Sequence, residues 1–377
     1  MNLRIQEARR LIGKAAVVAG LAVWGAAMAQ IRPETISTGL ENPWGVAFLP
    51  GGRFVVTERA GRLRPIAADG KIGAPIAGLP AIAAGGQGGL LDVLADSGFD
   101  KNRTLYFCFS EPAAGGGSGN GTALASTQLS ADGTRLENLK IIFSQQPKVA
   151  SRHHFGCRIV EARDGTLFLT LGDRFGRKED AQKLDNHIGK VVRIAKDGSA
   201  PRDNPFVGRT GALPEIWSYG HRNGQGAALA PDGRFWMTEH GPQGGDEINI
   251  PQAGRNYGWP VITYGENYGG GKIGEGITEK GGMEQPLHYW VPSIAPSGMA
   301  FLASDRYGAA WKGNLFVGSL KFGYLDRIEL KDAKVVAEHK LLADDRARIR
   351  DVKQGPDGLL YVLTDESDGK LLRLRPN

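Results

Sequence analysis

Asp357-Gly358-Leu359-Leu360-Tyr361-Val362-Leu363-Thr364-Asp365 is a turn, an unbroken apolar run, a hydroxyl and an acid. The Asp357-Gly358 pair suits a tight turn, because glycine adopts backbone angles closed to other residues. A short apolar run rich in β-branched and aromatic residues behind such a turn reads as a strand. The pattern recurs as Gly52-Arg53 before 54–58, Asn102-Arg103 before 104–111 and Asp164-Gly165 before 166–172. It returns as Asp232-Gly233 before 234–239 and Gly313-Asn314 before 315–320, which makes six copies.

Each copy follows another apolar segment (45–49, 89–94, 157–162, 226–229, 298–302 and 349–353), and further strands follow it, such as 189–194 and 324–330. A repeat of about 45–80 residues carrying three or four strands is the signature of a propeller blade. The expectation is an all-β, six-bladed β-propeller of four-stranded antiparallel blades. The last blade ends at 370–374, and the strand-like stretch 34–40 is available to complete it and close the ring, which removes an exposed edge.

The 377 residues include 55 glycines and 20 prolines, with 41% hydrophobic residues, a balance of short strands and turns. Residues 1–29 carry Arg4, Arg9, Arg10 and Lys14 ahead of an apolar run that ends at Ala27-Met28-Ala29. That is the form of a cleaved secretory leader, too short in its apolar part to span a bilayer. The expected mature chain is a single catalytic propeller, 30–377, periplasmic and without a membrane span. Without the leader's four Lys/Arg and one Glu, the formal charge of +6 falls to +3. So mild and spread a charge argues against nucleic acid as a partner. Cys108 and Cys157 have no metal-site spacing; a disulfide and two free core thiols both stay open.

Polar residues cluster where strands enter or leave a propeller's central channel: Gln87, His153-His154, the run from Gly220 to Gly226, Ser319-Leu320-Lys321 and Arg348-Ile349-Arg350-Asp351. Arg222, Lys321, Arg348 and Arg350 gathered in one cavity call for a polyanionic ligand, since unpaired buried cations are costly. Arg348 and Arg350 have strand spacing and share a face, with Ile349 packed the other way. The run from Glu239 to Asn249 offers carboxylates and backbone carbonyls in a Gly-Pro turn, hard oxygen ligands of the kind calcium takes. The glycine-rich runs 115–121 and 269–276 lack a phosphate-loop signature and read as flexible loops, the second over the site.

Over nearly the whole mature chain the sequence resembles the soluble aldose dehydrogenases of the glucose/sorbosone type, which depend on pyrroloquinoline quinone (PQQ). The resemblance is carried by Gly85-Gly86-Gln87-Gly88-Gly89-Leu90-Leu91-Asp92, His154-Phe155-Gly156-Cys157-Arg158 and Gly220-His221-Arg222-Asn223-Gly224-Gln225-Gly226. It continues through the segment from Glu239 to Asn249, Asn256-Tyr257-Gly258-Trp259-Pro260, Ser319-Leu320-Lys321 and Arg348-Ile349-Arg350-Asp351.

The resemblance implies that Lys321, Arg348 and Arg350 bind the three carboxylates and the quinone edge of PQQ. Gln87 and Asn223 then stand at hydrogen-bonding positions, Tyr268 beside the ring, and Ser319, Leu320 and Ile349 along the same cofactor segment. Gly241 and Pro242 match carbonyl ligands of a catalytic calcium, and Glu247 and Tyr257 match ligands of a further, structural calcium. His154 is implied as the base that takes the anomeric proton, with Arg222 and calcium polarising the quinone. A neutral imidazole suits that role near neutral pH.

The implied reaction turns an aldose into a lactone and passes electrons to an external acceptor. Two departures bear on substrate preference: His153 stands where glucose-oxidising members have an acid, and Lys178 falls near a cofactor-contacting glutamine. The chain is also short for that branch, which implies trimmed loops and an open pocket. The competing expectations are a calcium-dependent propeller lactonase, with channel carboxylates on the metal, and a non-enzymatic sugar- or protein-binding propeller.

Overall fold

The computed structural model describes residues 31–377; the leader expected at 1–29 lies outside them. All six apolar repeats are second strands of consecutive antiparallel blades. Arg53–Glu58, Thr104–Pro112, Leu167–Leu171, Phe235–Glu239, Leu315–Ser319 and Leu360–Thr364 occupy that place. They are apolar without alternation because a strand inside a blade is packed on both faces, so the strands at 167–171, 315–319 and 360–364 are buried along their whole length. An outer strand such as Lys334–Leu341 meets water on one face and alternates half-buried with exposed residues.

The first strand of each blade packs against the first strand of the next, from the first blade to the sixth and back again. Five hydrophobic clusters fill the wedges between blades; one, containing Val46, Phe54, Phe316, Val352 and Val362, spans blades five, six and one. Ile31–Leu40 pairs antiparallel with Gly369–Pro376 as the outer strand of the sixth blade, so the N-terminal strand closes the ring.

Five blades carry four strands and the first carries three. Where a fourth would lie, the first blade has a single antiparallel bridge, Ile66 to Ile72. Gly70, Gly73, Pro75, Gly78 and Pro80 crowd that stretch, and proline cannot donate to a ladder. Cys108 of blade two and Cys157 of blade three form a fully buried disulfide, Cα atoms 5.7 Å apart, which settles the choice the sequence left open. Among the described residues, no helix is long and apolar enough to cross a membrane.

Candidate active site

At one end of the ring the first strands and the loops above them enclose a cavity of about 560 Å³. Its charged wall is Arg59, Lys321, Arg348 and Arg350, with one carboxylate, Asp365, a formal excess of three positive charges. Lys321 and Arg348 are exposed, whereas Arg350 is buried. Arg350 pairs with Asp365, reaches Gln225 Oε1 at 3.5 Å and keeps a buried Nε without a partner. Arg348 donates to the Leu320 carbonyl at 2.9 Å and lies 3.5 Å from Asp365. Gln87, Asn223 and Leu320 also line the cavity, as do Trp44 and Phe155.

Arg222 does not join this wall; Arg59 takes the fourth place. The Arg222 guanidinium turns into an adjoining small pocket, where Nη1 donates to the His240 and Gly241 carbonyls at 3.0 and 2.6 Å. His240 borders both pockets. Burial pushes its pKa down to about 3, so it is neutral, and its Nε2 sits 2.7 Å from the Pro296 carbonyl.

Ser319 and Ile349 are placed away from the cavity: Ser319 Oγ donates to the Ile294 carbonyl at 2.8 Å, and Ile349 packs into the core. Tyr268 is 61% exposed outside the cavity wall, its hydroxyl 3.4 Å from Arg222 Nη2 and its ring stacked on Phe175.

Beside the cavity, His154 is held on every side. Its backbone φ is +50°, uncommon for a residue with a side chain, and its N–H donates to Gln87 Oε1 at 2.8 Å. A Cβ at Gly172 would lie 2.1 Å from the His154 carbonyl oxygen, so only glycine permits this approach. Nδ1 of His154 is 2.6 Å from Asp173 Oδ1, while Asp173 Oδ2 accepts from Trp259 Nε1 at 2.7 Å. The Trp259 ring carries the Arg222 guanidinium 5.2 Å from its centroid, which couples the arginine to the His154–Asp173 pair.

Burial holds the His154 pKa below the ordinary 6.5; Arg222 and His153 add to the effect and Asp173 opposes it. Burial works to raise Asp173, but the hydrogen bond and charge of His154 and the charge of Arg222 outweigh it, so the carboxyl stays ionised. A carboxylate on Nδ1 fixes that nitrogen as the N–H, which leaves Nε2 with the free lone pair.

Asp173 is the main residue that sequence reading missed. It stands two residues past the end of a second strand, near where other blades end on Glu58 and Glu239 or run on into Asp365, and that recurring acid was its signal. His153 is exposed with its ring 5.4 Å from Phe175, and Lys178 is off the cavity wall.

The residues present suit a cation below Arg222. Glu239 and Glu247 share the Asn249 amide, each 2.9 Å from Nδ2. The Glu247 carboxyl is pushed up to about 8, by burial first and the Glu239 charge second, which marks a place that favours a positive ion. Tyr257 donates its hydroxyl to the Ile250 carbonyl at 2.5 Å, so its free donor toward a cation is its own backbone carbonyl. Among the described residues no group of three or more His, Cys, Asp or Glu side chains could hold a metal by itself.

A closed six-bladed propeller thus holds a cation-walled cavity beside a buried histidine–carboxylate pair. The chain belongs to the glucose/sorbosone dehydrogenase family, whose model matches residues 40–373, and it is an oxidoreductase. It is 45% identical to the aldose sugar dehydrogenase YliI of Escherichia coli over 94% of this chain and 95% of that one. A crystal structure of a glucose dehydrogenase is 49% identical, with a TM-score of 0.87 over 91% of this chain and 99% of the other. The PQQ-bound aldose sugar dehydrogenase of Streptomyces coelicolor is 27% identical, with a TM-score of 0.75 over 93% and 99%.

Proposed function

We propose that this protein oxidises aldose sugars at the anomeric carbon to lactones, using PQQ and calcium, and passes two electrons to an external acceptor. The observation that carries the reading is the cation-walled cavity immediately beside the locked His154–Asp173 pair. A cavity with three net positive charges and an unpartnered buried Arg350 Nε fits a ligand with several carboxylates. When bound, the quinone supplies a two-electron acceptor and calcium a Lewis acid.

The chain supplies the rest. Lys321, Arg348 and Arg350, joined by Arg59, would hold the carboxylates; Gln87 and Asn223 would donate further hydrogen bonds, and Leu320 would line the segment between. Tyr268 would stand beside the ring, next to Arg222. Gly241 and Pro242 offer carbonyls to the catalytic calcium, and Glu247 and Tyr257 serve a structural one. Nε2 of His154 takes the proton of the anomeric hydroxyl while the C1–H electron pair leaves the sugar as hydride, and the lactone carbonyl forms. Asp173 holds the tautomer that makes this possible, and Arg222 bears on developing negative charge.

A lactonase would keep channel carboxylates for a metal, yet Asp92 and Asp351 in the channel are paired with Arg158. Residues 1–29 act as an export leader to the periplasm, with 30–377 as the mature propeller. The buried disulfide supports this, because such bonds persist in oxidising compartments.

Purified mature protein, loaded with PQQ and calcium, is expected to reduce an artificial dye when given an aldose panel that includes glucose. Quinone binding seen by absorbance with no dye reduction on any sugar would overturn the activity.

A further inference from the structure

Three motif residues take no part in the chemistry above: Asp92, Arg158 and Asp351. They meet on the propeller axis. Arg158, 1% exposed, places Nη1 3.0 Å from Asp92 Oδ1 and 3.0 Å from Asp351 Oδ1. Its Nε donates to the Gln225 carbonyl at 3.0 Å. The second oxygens accept from Ile159 N at 2.9 Å and Val46 N at 3.3 Å. Through one guanidinium and its two carboxylates, the first strands of blades one, two, three, four and six are joined. Blade five adds Ser297, whose hydroxyl donates to the Ile349 carbonyl at 2.6 Å. It contributes glycine where a side chain would collide: a Cβ at Gly298 would lie 2.2 Å from Asp351 Oδ1.

This cluster is the layer directly behind the cavity. The Trp44 indole, on the cavity wall, meets two guanidiniums: Arg158 is 4.3 Å from its centroid and Arg350 is 5.8 Å. Gln225, whose carbonyl Arg158 holds, is the residue whose side-chain oxygen faces Arg350. A buried charge triad is an expensive way to hold a ring together, since apolar side chains of equal volume serve stability as well or better. What a triad adds is a unique geometry.

We propose that Asp92, Arg158 and Asp351 form an axial clamp that positions the cofactor cavity, closing the channel behind it and fixing Trp44 and Gln225 so that Arg350 is aimed. The proposal rests on the reading of the cavity as the quinone site. Arg158 touches neither sugar nor cofactor; it is a positioning residue.

The test uses the full mature chain and two variants. Arg158→Lys keeps one charge but cannot bridge both carboxylates and the Gln225 carbonyl; Asp92→Asn/Arg158→Met/Asp351→Asn removes all three charges together. Thermal melting of the quinone-free proteins reports folding. Titration with PQQ in calcium, followed by absorbance, reports stoichiometry and Kd separately.

The expected result is full stoichiometry with a Kd weakened about tenfold or more, the size of a lost charged hydrogen bond, and an unchanged sugar KM once loaded. A scaffold role alone would lower the fraction that binds and leave Kd as it was, and that overturns the clamp. Should the triple variant not fold, Arg158→Lys decides; should neither fold, the triad is a folding element and the positioning role fails. A wild-type protein that binds no quinone overturns the cofactor reading and the clamp's role together, whereas wild-type binding with unaltered variants overturns the clamp alone.

Discussion

The two walls of the cavity are built on opposite electrostatic terms. On the side of blades five and six, Lys321 and Arg348 stand exposed and Arg350 is kept in place by Asp365. On the side of blade three, His154 is buried, bonded at Nδ1 and at its backbone N–H, and closed in by Gly172. Exposed cations retain most of their hydration and lose it only when an anion arrives, so that wall is suited to holding a ligand. A buried imidazole with one nitrogen committed is suited to a single proton transfer. On the proposed function, binding and chemistry fall to different blades, and substitutions should separate them.

The largest separation is expected from His154→Ala. Removing the proposed base should lower kcat by about 100- to 10,000-fold while PQQ affinity stays within a factor of two or so. Stopped-flow reduction of the loaded enzyme, beside an absorbance titration, checks both halves. Asp173→Asn should move kcat in the same direction by less, again with Kd unchanged. A large Kd change in either variant would erase the contrast between the walls.

Next comes the disulfide. Cys157 lies three residues beyond His154, and its partner Cys108 anchors it to blade two, a pin that the cation wall lacks. Cys108→Ala/Cys157→Ala should destabilise the fold by about 2–4 kcal/mol, read from denaturant midpoints. Short of unfolding, it should lower turnover before it weakens quinone binding, because the blade that loosens carries the proposed base.

The same asymmetry explains what could be read in advance. Second strands such as 360–364 announce themselves, since burial on both faces demands continuous apolar residues, and a strand at 34–40 completing the sixth blade follows from closing the ring. That Lys321, Arg348 and Arg350 share one cavity was legible from their place at the channel ends of strands; that a polyanion fills it is the proposal. Asp173 was not legible, although its place after a strand resembles that of Glu58 and Asp365; its partner is 19 residues earlier in the chain and only the fold of blade three joins them. Arg222 was legible as a cation but not in its direction, because the carbonyls of His240 and Gly241 capture the guanidinium locally. The missing fourth strand of blade one lay in Pro75 and Pro80, whose effect depends on which backbone groups the ladder would need.

A smaller effect belongs to the cation wall. Lys321→Ala should weaken PQQ about 10- to 100-fold, the value of one charge-assisted contact, and leave kcat at saturating cofactor nearly unchanged. Arg350→Ala should be the more severe of the two, since it also leaves the buried Asp365 carboxylate with only the more distant Arg348 as a cationic partner. Titrating the cofactor at two salt concentrations sharpens the assignment: the exposed Lys321 contribution should shrink with salt more than that of buried Arg350.

The smallest predicted effect concerns pH. The proposed base works as neutral imidazole, so activity is lost as pH falls through the pKa of His154. An imidazole at the ordinary value of about 6.5 would lose roughly threefold of its neutral form between pH 7 and pH 6. Burial of His154 holds its pKa lower, so kcat should fall by less than that over the same interval, and the acid limb should begin below the usual histidine range. His153→Gln removes a neighbour whose electrostatic influence helps depress His154, and should move the acid limb upward slightly without altering PQQ affinity. If the limb instead moved down, or Kd changed with it, His153 would act on the cofactor rather than on the base, and the division between the two walls would have to be redrawn.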